Sequence, residues 1–172
     1  QLAANALSIF DTVAHQHADG DFNIDRTASH GRDPNINRFC LAPTLDAWCL
    51  LRETYPDLLP AAKRADLQRG FRTLADYQVN DYGLARLERK PHEKYPVYPN
   101  MDVHFILIME LAHRLWGDEV FARERDARLD LLLPTVYPMG AWPYINTQNE
   151  CFVYHKLNVL YMARFWQLTG RE

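Results

Sequence analysis

MDVHFILIMELAHRLW, residues 101–116, is apolar on nearly every face at helical spacing, which indicates a buried helix. A second stretch of this kind, CFVYHKLNVLYMARFWQL, covers residues 151–168. A helix without a polar face must be covered by neighbours on several sides. Amphipathic stripes in residues 2–14, 67–75 and 120–133 predict helices with one wet face that supply this cover. The chain is therefore predicted to be all-α.

The order of these segments predicts stacked antiparallel helical hairpins. A shorter apolar segment, PTLDAWCLLRET, is predicted to begin a helix at Pro43, and each apolar segment is followed by a short turn. An Asn precedes each apolar segment and an Arg follows at separations of 15, 14 and 15 residues: Asn37 to Arg52, Asn100 to Arg114 and Asn149 to Arg164. Such a repeat is typical of helical hairpin arrays. We expect one α/α-hairpin domain over residues 1–172.

The composition excludes several classes of protein. Hydrophobic residues make up 48% and charged residues 24% of the chain, which is ordinary for a globular domain. The net charge of −3 gives no basic surface for nucleic acid, and no apolar run reaches the roughly 20 residues that span a bilayer. Three cysteines without a C-x-x-C spacing are expected to be buried thiols. We expect no metal and no cofactor, since their common motifs are missing.

Long polar loops precede the apolar segments, at residues 23–38, 80–100 and 138–149, whereas the turns at the other end are short. Long loops in a compact domain are usually functional. Because each loop leads into an apolar helix, all three are predicted to open at the same end of the stack. That end is the expected binding face.

The side chains at this predicted face form three groups. Asn100, His104, Asn149, Tyr154 and His155 lie within the first turns of two apolar helices, where they are expected at similar depth. Asn at a helix N-cap also has a purely structural use. The second group comprises His30, Arg32, Asn37 and Arg38, which are suited to binding carboxylates and hydroxyls. The third comprises Tyr98, Trp142 and Tyr144, whose rings are suited to stacking on sugar rings.

Loops that end in Asn before apolar helices, the YH of YHKLNVL on the last helix and the trailing A-R-x-x-x-L-T-G resemble part of an (α/α)n toroid. Within that fold, the Asn, His and Tyr set resembles the polysaccharide lyases of the alginate, glucuronan and heparin type. The chain holds fewer hairpins than a closed ring needs. We therefore expect a partial toroid, completed by further chain or by a second subunit.

The resemblance implies β-elimination on an acidic polysaccharide or oligosaccharide, in the periplasm or outside the cell, with the cytoplasm still open. Asn100 and either Arg32 or Arg38 would neutralise the uronate carboxylate, with Asn149 in reserve. His104 would take the C5 proton and Tyr154 would protonate the leaving 4-oxygen, or Tyr154 would do both. His155 would hold the tyrosine or bind substrate.

Three other functions stay open at this point. A toroidal glycoside hydrolase needs two carboxyl groups, for which Asp33, Asp102 and Glu150 are the candidates. A sugar epimerase would use His104 and His155. A non-catalytic, carbohydrate-binding helical-repeat module would keep the aromatic residues without a convergent His and Tyr.

Overall fold

A computed structural model describes residues 34–89, 97–143 and 152–170. Its helices are α1 (Pro34–Thr54), α2 (Ala61–Tyr82), α3 (Leu84–Arg89), α4 (Pro99–Trp116), α5 (Glu119–Leu132), a 3₁₀ turn (Leu133–Thr135) and α6 (Phe152–Thr169). These described ranges contain no β-strand, which confirms the all-α class. The chain divides into two compact units, residues 1–77 and 78–172. The toroidal arrangement and the single domain stay predictions.

The first unit is built on α1, which begins nine residues before the predicted start at Pro43. Residues 34–38, which were predicted to end the preceding loop, therefore belong to the helix, and Pro43 lies inside it. Proline at the first helical position, here Pro34, loses no hydrogen bond, because the N–H there has no partner within the helix. An apolar face that includes Leu41, Leu45 and Trp48 is buried on both sides of Pro43 and stabilises the continuous helix.

Helix α2 follows a short turn and begins immediately after Pro60. The stripe predicted at Leu67, Phe71, Leu74 and Ala75 is fully or almost fully buried, which confirms it. Phe71 packs against Trp48 of α1, with 6.0 Å between the ring centroids. Towards the second loop the helical structure extends further than predicted, through α3, so that residues 80–89 are largely helical.

In the second unit, α4 and α5 form an antiparallel hairpin with a sharply defined turn. Gly117 ends α4 in the left-handed conformation, with φ of 68°, and its N–H donates to the carbonyl of His113 at 2.7 Å. Glycine adopts this conformation without a steric penalty. The carboxylate of Asp118 then caps α5 by accepting from the Val120 N–H at 3.1 Å. The predicted short turn is confirmed.

The contact between α4 and α5 is charged, which corrects the wet face predicted for α5. Glu124, Arg125 and Arg128 are buried, while Leu133 is exposed. Arg125 donates to Glu110 of α4 at 2.5 Å and to Asp126 at 2.8 Å. Burial lowers the pKa of Arg125, but the hydrogen bonds and charges of Asp126 and Glu110 outweigh it and raise the pKa above its ordinary value. Charges are buried here because each has a partner.

A second charged cluster joins the end of α2 to the start of α4 and the second half of α5. Asp102 accepts from the Tyr82 hydroxyl at 2.8 Å and from the Tyr98 N–H at 2.8 Å. Arg128 lies 3.3 Å from the same carboxylate and donates to the Tyr82 carbonyl. Its guanidinium also lies over the Tyr82 ring, 4.3 Å from the centroid. All four residues are tied together by this cluster.

Helix α6 packs beside α4 in the same direction. The His104 ring contacts Tyr161, and ten residues further along α4 Arg114 donates to the Leu168 carbonyl. Residue numbers increase in the same direction along both helices between these contacts, so the two helices are parallel. Between them lies a core cluster that includes Val103 and Ile106 of α4.

Helix α6, which was predicted to be covered on several sides, is buried on one side and exposed on another. Its outer face exposes Val153, Val159, Leu160 and Trp166. Met162 and Phe165, on the opposite face, are buried in the core cluster. One side of the helix is therefore covered by α4, whereas the apolar side chains on the other side are exposed.

Gly83, between α2 and α3, is expected to tolerate no side chain. A Cβ there would come within 2.6 Å of the Glu124 carboxylate and would also clash with the Val79 carbonyl. The same carboxylate accepts from the Leu84 N–H at 2.7 Å, so it has little room to move. We expect Gly83→Ala to lower the free energy of unfolding by about 1–3 kcal/mol in urea denaturation.

Gly117→Ala is the control, because nothing lies within 4 Å of a Cβ there and only its positive φ opposes the change. That conformation alone costs about 1 kcal/mol. A loss at Gly83 no larger than the loss at Gly117 would show that the close approach to Glu124 is relieved by a small shift.

Candidate functional site

The predicted base His104 forms a close ring contact with Tyr161 in the second unit. Their ring centroids are 4.1 Å apart and their planes are tilted by 42°. His104 is 2% exposed, whereas Tyr161 is only partly buried. The parallel register of α4 and α6 produces this pair, because it places Tyr161 level with the second turn of α4.

The His104 ring is held in one orientation by its own helix. Its Nδ1 lies 2.5 Å from the Asn100 carbonyl oxygen. A carbonyl only accepts hydrogen bonds, so Nδ1 carries a proton, and Nε2 is the acceptor nitrogen whenever the ring is neutral. An imidazole fixed in this tautomer presents a base at Nε2.

The sequence predicted Asn100 as the N-cap of α4, and this prediction is wrong. Tyr98 is the cap residue and Pro99 takes the first helical position, which places Asn100 within the first turn. Its side chain is buried and its backbone carbonyl holds His104. The predicted substrate-binding residue Tyr98 is half-buried at this cap.

Tyr154 and His155 lie on the first turn of α6 and are half-buried. Tyr154 precedes Tyr161 by seven residues, or two helical turns, and is about 10 Å from the level of His104 along the axis. The prediction that His104 and Tyr154 lie at similar depth is therefore wrong. Tyr161 was missed, although its spacing of seven residues from Tyr154 puts both on one face of the helix.

Three other predicted binding residues are buried. Asn37 and Arg38 are fully buried in α1 of the first unit rather than in a loop, and Arg38 donates to Asn35 at 3.4 Å. Trp142 lies in the non-helical segment before α6, as predicted, but its ring belongs to the core cluster with Val97. The predictions for His30, Arg32, Asp33, Tyr144, Asn149 and Glu150 fall outside the described residues.

The carboxyl group of Asp102 is fully engaged. It is 0% exposed and both its oxygens accept hydrogen bonds, one from Tyr82 and one from the Tyr98 backbone, with Arg128 beside it. A charge-paired carboxylate of this kind stabilises the start of α4. Both its oxygens are occupied by these partners and are therefore not available to act on a substrate.

Asn158 is a buried polar residue that the sequence reasoning did not select. It is 1% exposed, one turn before Met162 on the face of α6 that packs against α4. Across the part of the chain that the structure describes, its side-chain oxygen accepts no hydrogen bond. A buried acceptor of this kind costs about 1–3 kcal/mol.

Other chemistries have little support among the described residues. No three His, Cys, Asp or Glu side chains within residues 34–89, 97–143 and 152–170 are grouped to hold a metal ion. Burial raises the pKa of the Cys40 thiol, which keeps it protonated and a poor nucleophile. In the same ranges no helix combines the length and apolar character needed to cross a membrane.

No family model, curated protein or solved structure matches this chain significantly.

Proposed function

We propose that this protein acts on a uronic-acid-containing polysaccharide as a lyase, by β-elimination. The observation that carries the proposal is the His104–Tyr161 pair. The imidazole is held in one orientation against a partly buried tyrosine, with 4.1 Å between the two ring centroids. These are the two groups that the reaction needs, one to take a proton and one to give a proton. The chain would form part of an (α/α)n toroid, and a polymeric substrate favours the periplasm or the outside of the cell.

In the proposed reaction, Nε2 of His104 takes the C5 proton of the uronate. The Tyr161 phenol protonates the 4-oxygen as the C4–O4 bond breaks, which leaves a double bond between C4 and C5. The sugar would approach from the start of α4, where Tyr98 and Met101 are half-buried. Donors aimed at the carboxylate are needed to acidify the C5 proton. Asn100 is the predicted donor nearest to this pair in sequence.

The engagement of Asp102 favours elimination over hydrolysis. A glycoside hydrolase needs one carboxyl group as an acid and a second as base or nucleophile. Of its three candidates, Asp102 is the described one, and its oxygens are occupied by Tyr82, Tyr98 and Arg128.

Incubation of the purified protein with alginate, glucuronan and heparin-type polymers tests the proposal. We expect a rise in ultraviolet absorbance from the C4–C5 double bond conjugated with the carboxylate, on at least one polymer. New reducing ends without this absorbance would establish hydrolysis instead. Binding of a polymer without either signal would establish a non-catalytic binding module.

A further inference from the structure

Asn158 has the features of a ligand-contacting residue rather than of a structural one. Buried amide groups in folded proteins nearly always have hydrogen-bond partners, because an unpaired one loses its water without replacement. The oxygen of Asn158 accepts no hydrogen bond from any described residue, although the side chain is 1% exposed. A leucine at this position would avoid that cost, so the retained amide indicates an acceptor for a donor outside the chain.

The register of α4 and α6 places Asn158 beside the candidate site. Tyr161 is level with His104, and the two helices are parallel. Asn158 precedes Tyr161 by three residues, which puts it level with Met101, in the first turn of α4. It shares a face of α6 with Met162, which packs in the cluster with Val103. Asn158 therefore lies on the side of α6 that faces α4, about one turn nearer the start of the helix than Tyr161.

We propose that Asn158 is a substrate-binding residue of this site, whose side-chain oxygen accepts a hydrogen bond from a hydroxyl of the sugar held against His104 and Tyr161. This inference rests on the proposed function for the identity of the sugar, a uronate. Donors on such a ligand are its hydroxyl groups, and an amide oxygen is a neutral acceptor that does not repel the carboxylate. Asn158 thus selects for a sugar hydroxyl at the level of Met101.

The test compares Asn158→Leu with Met162→Leu, an equally buried change one turn further along the same face. Each variant is titrated calorimetrically with alginate and glucuronan tetrasaccharides, and its thermal unfolding is recorded. For Asn158→Leu we expect a dissociation constant about tenfold higher than that of the unaltered protein, the loss of one hydrogen bond of about 1.4 kcal/mol. Its unfolding midpoint should be unchanged or higher, because an unpaired buried acceptor has been removed. Met162→Leu should keep its affinity.

The opposite pattern would overturn the proposal. An unfolding midpoint lowered by Asn158→Leu, with affinity unchanged, would mean that the amide is a structural group. Affinity lost equally in Met162→Leu would mean that any change on this face disturbs the site. Tetrasaccharide binding without elimination, lost in Asn158→Leu, would refute the lyase and support the role of Asn158. Elimination by the unaltered protein, together with unchanged tetrasaccharide binding by Asn158→Leu, would support the lyase and refute the role of Asn158. No tetrasaccharide binding by the unaltered protein would also refute the role of Asn158.

Discussion

Replacing Arg128 by methionine is expected to lower the free energy of unfolding by about 3–5 kcal/mol. The change leaves the Asp102 carboxylate, which is 0% exposed, without its cation and removes the donor to the Tyr82 carbonyl. The paired cluster adds little net stability, because both charges lost their water on burial. Breaking it by removing one partner is costly, since the remaining charge cannot be solvated. A small domain has only about 5–15 kcal/mol to lose.

Urea denaturation of Arg128→Met and of the double variant Arg128→Met/Asp102→Asn measures this effect. The double variant should recover part of the loss, because the second change removes the unpaired charge. Arg123→Met on the exposed face of α5 is the control and should change the free energy of unfolding by less than about 0.5 kcal/mol. Equal small effects at Arg123 and Arg128 would contradict the cluster.

His104→Gln and Tyr161→Phe are each expected to reduce kcat by about 10²–10⁴-fold, the usual contribution of a general acid or base. Glutamine cannot take the C5 proton at neutral pH, and phenylalanine keeps the ring contact with His104 but has no proton to give. Both changes preserve most of the side-chain volume, so the fold should survive. Initial rates of absorbance increase on the polymer that the unaltered protein cleaves provide the measurement.

Tyr154→Phe separates the two tyrosines that the sequence and the structure favour. Because Tyr154 is two turns from the level of His104, we expect its loss to reduce kcat by less than about tenfold. A large loss at Tyr154 with a small one at Tyr161 would contradict the assignment. It would instead support the acid predicted from the YH of YHKLNVL.

The helices were predictable where the apolar pattern was dense. Residues 101–116 have apolar side chains on every face, and α4 is accordingly buried almost throughout. Pro60, Gly117 and Asp118 marked helix ends because each restricts or caps the backbone locally. These signals act over a few residues, which is the range that a sequence pattern can report.

The remaining features depend on partners far away in the chain. Arg125 and Arg128 appeared wet because their partners, Glu110 and Asp102, lie on another helix. The start of α1 was misplaced because Pro43 was taken as the first residue of the helix. Tertiary packing of the buried face on both sides of Pro43 supports a continuous helix instead. Matching Asn100 with Asn149 aligned α4 and α6 by their expected caps, whereas the observed contacts set His104 beside Tyr161. The candidate site therefore contains the predicted His104, but Tyr161 takes the place predicted for Tyr154.

Mass spectrometry of the products from a uronan tetrasaccharide distinguishes β-elimination from hydrolysis. Elimination by the unaltered protein predicts a reducing-side fragment whose new non-reducing end is an unsaturated uronate, lighter by one water than the saturated sugar. His104→Gln should form this product at least about 10²-fold more slowly. Two saturated fragments, whose masses sum to that of the tetrasaccharide plus one water, would contradict β-elimination. An unsaturated product formed equally fast by His104→Gln would contradict the role of His104.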